Sequence, residues 1–176
     1  MVALVAGQRF ALNRPQSPEP VSDAVDQGPR APDISALTPA QRAMRLYDRI
    51  MTYSEAGKTD SVRFFAPMAV AAYEMLGDLD LDGHYDLGRI GEVSGDLSMA
   101  SAQADTILRR NPNHLLGLIL AAHVAERRDR SAEERRFFQR LIAAEPTERS
   151  KKLPEYDTHD RDIAAALEEA RRIVRR

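Results

Sequence analysis

The sequence predicts an all-α fold: a short α-solenoid of about three helical hairpins with a C-terminal capping helix, preceded by an extended Pro-rich arm. Three observations predict it. From Thr38 onward apolar residues recur at helical spacing between capping residues and glycine stops. Six of the ten prolines fall in the first 39 positions, where Phe10 is the sole aromatic residue. No segment alternates as a half-buried strand would.

At 176 residues and 43% hydrophobic, the chain suits one domain with a real core. A net charge of −2 gives no overall field to recruit nucleic acid or anionic lipid. Without cysteine there is no disulfide scaffold, thiolate metal site or thiol catalysis. No apolar run reaches the length of a membrane-spanning helix.

The expected organisation is an arm over 1–36, helical repeats over 37–148, and a loop with a capping helix over 149–176. In the arm, proline removes backbone donors and fixes φ, while few large side chains exist to bury. Two readings stay open: a floppy tail, or a strand of chain laid extended against a partner. In the second reading Val2, Leu4, Val5, Phe10 and Leu12 supply the contacts, because restricted Pro-rich segments lose little entropy on binding. The apolar run Val2–Ala6 is too short for a signal peptide and lacks its positive flank. It reads as a hydrophobic hook or as the end of a longer membrane or signal segment. The layout of apolar tip, Pro-rich spacer and helical domain favours a membrane-associated periplasmic location, with the cytoplasm as the alternative.

The elements follow in order. Thr38-Pro39-Ala40-Gln41 is a capping box opening a first helix with Ala43, Leu46, Tyr47, Ile50 and Met51 on one face, stopped by Gly57. A second starts near Thr59, buries Val62, Phe65, Ala69, Ala72, Tyr73 and Leu76, contains Pro67 and closes at Gly77. A third is expected from Gly83 to Ser94 and a fourth from Leu97 to Arg110. Asn113 is expected to cap a fifth, apolar on nearly every side through Leu115, Leu116, Leu118, Ile119, Leu120 and Val124, and so the most buried. Ser131 and Glu134 suggest a second capping box opening a sixth helix, with a polar loop after Pro146. A last amphipathic helix is expected over 158–174.

Pro112 and Pro146 lie 34 residues apart. Set on the terminal position of a 34-residue repeat, they place Leu87, Gly88, Gly95, Ala100 and Pro112 on matching positions of 81–114, and Leu118, Ala122, Phe138, Leu141 and Pro146 on those of 115–148. A first repeat over 43–76 matches at Gly57, Ala66 and Ala69. On these residues the chain resembles the tetratricopeptide-repeat family over about 110 residues, departing from it at Gly91 and Glu134. The resemblance implies stacked hairpins whose first helices line a concave, partner-binding groove. By position, that groove would present Tyr47, Met51, Tyr85, Arg89, Ile119 and His123; Tyr47, Met51 and Ile119 equally suit packing between helices.

The sharpest chemical motif is Asp78-Leu79-Asp80-Leu81-Asp82-Gly83. Alternate acids before glycine match the start of a calcium loop, but Arg89 stands where a bidentate Glu should close it. Asp80 or Asp82 as a helix cap explains the same residues. Gly88, Gly91 and Gly95 lack the spacing and context of a phosphate loop and read as close helix approaches and a turn. His84, His114, His123 and His159 show no metal-ligand spacing. The carboxylates sit among arginines, as on a salt-bridged surface.

Residues 37–96 carry six basic and ten acidic groups, and 97–176 carry sixteen and thirteen, a polarity that can orient the domain on a partner. The expectation is a non-catalytic protein-interaction scaffold without a cofactor: an extrinsic structural or assembly subunit of a larger complex, membrane-bound and of the photosynthetic, respiratory or secretion kind. It would contact other protein subunits and no nucleic acid. The alternative is a calcium- or ligand-responsive regulatory domain.

Overall fold

The computed structural model describes residues 37–175. The expected arm, with Val2, Leu4, Val5, Phe10 and Leu12, lies outside them. Among the described residues every regular element is helical: α1 (Pro39–Glu55), α2 (Thr59–Glu74), α3 (Leu81–Ser94), α4 (Leu97–Arg110), α5 (Leu115–Arg127), α6 (Ser131–Ser150), α7 (Pro154–Thr158) and α8 (Asp160–Val174). Each of the first five packs against the next, so α1–α2, α3–α4 and α5–α6 are adjacent pairs, and α8 packs on α6. No described helix is long and apolar enough to cross a membrane.

Local chemistry sets several boundaries. Thr38 and Gln41 form the reciprocal capping box that opens α1. Asp80 caps α3 by accepting from the Gly83 amide at 2.8 Å, so that helix begins two residues before the expected Gly83. Gly95 ends α3 at φ +92°, a conformation a side chain would strain.

Other boundaries differ from expectation as well. The residue preceding α5 is His114, and Asn113 instead donates its amide to the Asn111 side chain. Arg130 precedes α6 and Ser131 makes no side-chain cap. Pro146 lies inside α6 rather than closing it. The turn beyond it is held from outside: buried Glu148 accepts from Asn111 at 3.0 Å and from the Tyr156 hydroxyl at 2.9 Å. Those bonds offset the backbone bond that proline removes.

Two apolar clusters form the core. One joins α1, α2 and part of α3 through Leu46, Ile50, Phe65, Tyr73, Leu87 and Ile90. The other surrounds α5, whose Leu115, Leu116, Leu118, Ile119 and Leu120 are fully buried among Tyr85, Ile107, Phe138, Leu141 and Ile163. Helix α3 belongs to both, Tyr85 on one side and Leu87 and Ile90 on the other. Small residues allow this: a Cβ on Gly88 would lie 2.2 Å from Leu120 Cδ2, and one on Gly91 would lie 2.9 Å from the Asp96 carbonyl oxygen. Burying each large aliphatic side chain contributes about 1.5–3 kcal/mol.

Helix α8 turns Ile163, Ala166, Leu167 and Ala170 inward and exposes Arg161, Glu168, Arg171 and Arg172. Its contacts extend beyond α6. His159, at its start, stacks edge-on against Tyr47 of α1 and Tyr85 of α3. Further along, Glu169 reaches His123 of α5.

Candidate functional site

A polar seam runs down one face of α3. Asp82, Tyr85, Asp86, Arg89 and Glu92 recur every three or four residues, the spacing that places side chains on one helical stripe. Facing them are His159, Asp162 and Glu169, which follow the same rule on α8, and His123 on α5.

The upper end of the seam centres on His159, which is buried. Its Nε2 lies 2.9 Å from Asp82 Oδ1 and 3.4 Å from Asp86 Oδ1, and its Nδ1 lies 3.7 Å from Asp162 Oδ2. The Tyr73 hydroxyl donates to Asp86 Oδ2 at 2.6 Å, and the Tyr85 hydroxyl donates to Asp162 Oδ2 at 2.9 Å. Burial alone would push the imidazole down, but the facing carboxylates of Asp162, Asp82 and Asp86 outweigh it and lift His159 to about 11. Burial pushes the Asp86 carboxyl up, against the pull of His159 and Tyr73. Asp162 is held low, because the His159 bond and the Arg89 charge outweigh its burial.

The lower end is a chain of charges. Arg89 donates to Glu92 at 2.5 Å, and Glu92 lies 3.4 Å from His123 Nδ1. The other nitrogen of His123 lies 3.6 Å from Glu169. Burial would raise Glu92, yet His123 and Arg89 hold it down at about 2. Beside the seam, a cavity of about 270 Å³ opens between Tyr47, Met51, Arg89, His159, Arg161 and Asp162.

Of the six positions that the resemblance assigns to a groove, Tyr47, Met51, Tyr85, Arg89 and His123 border the seam or its cavity, and Ile119 lies in the α5-centred core. Tyr85 and Ile119 are fully buried, Tyr47 is nearly so, and Met51, Arg89 and His123 are partly exposed. Helix α8 meets them directly: Tyr47 and Tyr85 contact His159, and His123 contacts Glu169. The aspartates of the candidate calcium loop are divided. Asp80 is occupied by the Gly83 amide, Asp78 is exposed on the preceding turn, and Asp82 points to His159.

Sequence reasoning passed over Asp86, His159, Asp162 and Tyr73 as a set. The Asp82/Asp86 spacing of four was a local signal for two carboxylates on one face. His159 stands 77 residues from Asp82, and only the tertiary fold joins them.

A second polar cluster fastens α7. The Leu115 amide donates to the Tyr156 hydroxyl at 3.2 Å, and that hydroxyl donates to Glu148. Nearby His114 is fully buried, 3.2 Å from Glu155, and burial pushes its imidazole below the ordinary value.

Compared with protein-family models, with curated proteins and with solved structures, the chain matches none.

Proposed function

We propose that the chain is a tetratricopeptide-like stack of helical hairpins that works as a non-catalytic protein-interaction scaffold within a larger assembly. The observation that carries this reading is an apolar strip on the outside of α2. Phe64 and Met75 are 56% and 65% exposed, and Pro67 and Ala71 lie between them on the same helical face. The strip borders a shallow groove of about 400 Å³ that includes Val70 and Met99 of α4. Large apolar side chains gathered along one helix face mark a surface that a partner covers. Arg63, Glu74 and Asp96 rim the groove, a polar border around an apolar centre as in protein–protein interfaces.

In this reading the positions that the family uses for partners are filled by the chain's own α8, so a partner subunit meets the outer α2 face. The arm over 1–36 is a second contact, and an extrinsic, membrane-associated setting fits its apolar tip. A photocrosslinking residue at Ala71 tests the reading in the native cell, with exposed Ala102 on α4 as control. The expected result is one protein crosslinked from 71 and absent from 102. It should vanish in the double variant Phe64→Glu, Met75→Glu while the domain's melting is unchanged. Absence of any crosslink from 71 overturns the reading.

A further inference from the structure

We propose that Asp82, Asp86 and His159 form a three-ligand site for a divalent ion of the zinc class, with a fourth position left for water or a partner's ligand. This goes beyond the scaffold reading and does not depend on it. The ligand atoms, Asp82 Oδ1, Asp86 Oδ1 and His159 Nε2, lie within 4.8 Å of one another.

A proton alone serves this arrangement badly. Nε2 carries at most one hydrogen, and at 2.9 Å it goes to Asp82. Asp86 Oδ1 is buried and, among the described residues, has no hydrogen-bond donor. Leaving a buried carboxylate oxygen unmatched is costly. A cation at the centre of the triangle uses all three lone pairs at once.

The geometry suits an ion with bonds of about 2.0–2.1 Å, for which tetrahedral ligand atoms stand roughly 3.3 Å apart. The Nε2 to Asp86 separation of 3.4 Å already meets this, and the 2.9 Å to Asp82 must open by a few tenths of an ångström. One imidazole nitrogen with two carboxylates matches zinc-class ions better than calcium, which takes six to eight oxygens.

The surroundings are those of a supported site. Tyr73 fixes Asp86 through its other oxygen, and Asp162 faces the second ring nitrogen of His159. Metal-bound histidines and carboxylates are commonly oriented in this way. The Asp82 side chain is 35% exposed and gives the ion a path from solvent. Because Asp82 and Asp86 stand on α3 and His159 at the start of α8, the ion would pin α8 across the seam.

The test uses the purified full chain, stripped with a chelator and titrated calorimetrically with Zn²⁺, Mn²⁺, Ca²⁺ and Mg²⁺. One Zn²⁺ per chain is expected, bound more tightly than Ca²⁺ or Mg²⁺, with zinc-edge X-ray absorption reporting a single imidazole among oxygen ligands. D86N and H159Q should abolish this binding. Because both change buried groups, D82N and Y73F are measured beside them. D82N removes a part-exposed ligand, and Y73F removes only the hydroxyl that holds Asp86. Y73F should weaken Zn²⁺ by about tenfold or more, the usual cost of losing such support. H84Q, at a histidine bonded to Gln103, should bind as the unaltered chain does. No Zn²⁺ binding, a preference for Ca²⁺, loss in H84Q, or unchanged affinity in D82N and Y73F would each overturn the site.

Discussion

The Nε2 of His123 on α5 stands 3.6 Å from a carboxylate oxygen of Glu169 on α8, while its Nδ1 lies 3.4 Å from Glu92 on α3. One imidazole therefore joins three helices, and it does so only when both nitrogens carry hydrogen. Burial alone would push His123 down, but hydrogen bonds to Glu169 and Glu92 outweigh it and lift it to about 9, with Arg89 opposing. Glu134 and Arg135 of α6, Glu126 of α5 and Arg172 of α8 add their charges around this junction.

Stability should accordingly fall on the alkaline side. A group raised on folding stabilises fully below its unfolded value, about 6.5 for histidine, and that share is lost as pH rises through about 9. Glu92, held at about 2, has the opposite sign: its share is present above about 4.5 and is lost as pH falls towards 2. Melting temperature against pH should therefore decline above about 6.5. His123→Gln should remove most of the decline between about 6.5 and 9. An unchanged alkaline limb in that variant refutes the assignment.

Gly88→Ala should destabilise by about 1–3 kcal/mol, the usual cost of overpacking. Its new methyl would meet the Leu120 side chain at 2.2 Å, and Leu120 is fully buried with little room to yield. Urea unfolding of the two proteins measures it. A stability equal to that of the parent would show that α3 and α5 approach less closely than described.

How far the sequence could be read is visible in these residues. Thr38, Gln41, Gly57 and Gly95 act within a turn or two of their own positions, so their roles are legible locally. The burial of α5 follows from a run of leucines with no polar face. Pro146 misled because its local cost is offset by Asn111 and Tyr156, partners 35 residues before and ten after it in the chain. The His159 cluster was hidden for the same reason. Asp82 and Asp86 announce a carboxylate face, but nothing near them says that an imidazole from the start of α8 will close it. His123, singled out for a groove, meets Glu169 because α8 folds back onto that face.

Tyr156→Phe should cost about 1–3 kcal/mol although it removes a single oxygen. That hydroxyl accepts from the Leu115 amide and donates to buried Glu148, so its loss leaves a helix N-terminus and a carboxylate short of partners. Asn111 and Lys151 still bond Glu148, which should keep the variant folded. Thermal melting with a loss of several degrees is expected, and no loss would mean that water replaces the hydroxyl at no cost.

Leu118→Asp should prevent folding. Leu118 is fully buried in the α5-centred core, and an aspartate there is a charge among Leu, Ile and Phe side chains. Circular dichroism should show loss of helix or of cooperative melting. Leu118→Ala, which leaves a cavity without a charge, should fold and lose about 2–5 kcal/mol. If the aspartate variant melts as the parent does, the burial of α5 is misplaced.

A chain shortened to residues 37–176 should fold cooperatively by itself. Every side chain of the two core clusters lies between Ala43 and Val174, so the shortened chain keeps all of the described apolar core. It also keeps the start of α1 intact. The Thr38–Gln41 capping box remains, and Arg42 still donates to the Leu37 carbonyl oxygen at 3.0 Å. Beginning at residue 39 instead would delete the cap and cost about 1 kcal/mol at that helix end. Calorimetry of both shortened chains should show single two-state transitions, the second at a lower temperature. A broad, non-cooperative unfolding of the 37–176 chain would mean that residues 1–36 supply packing the helices lack.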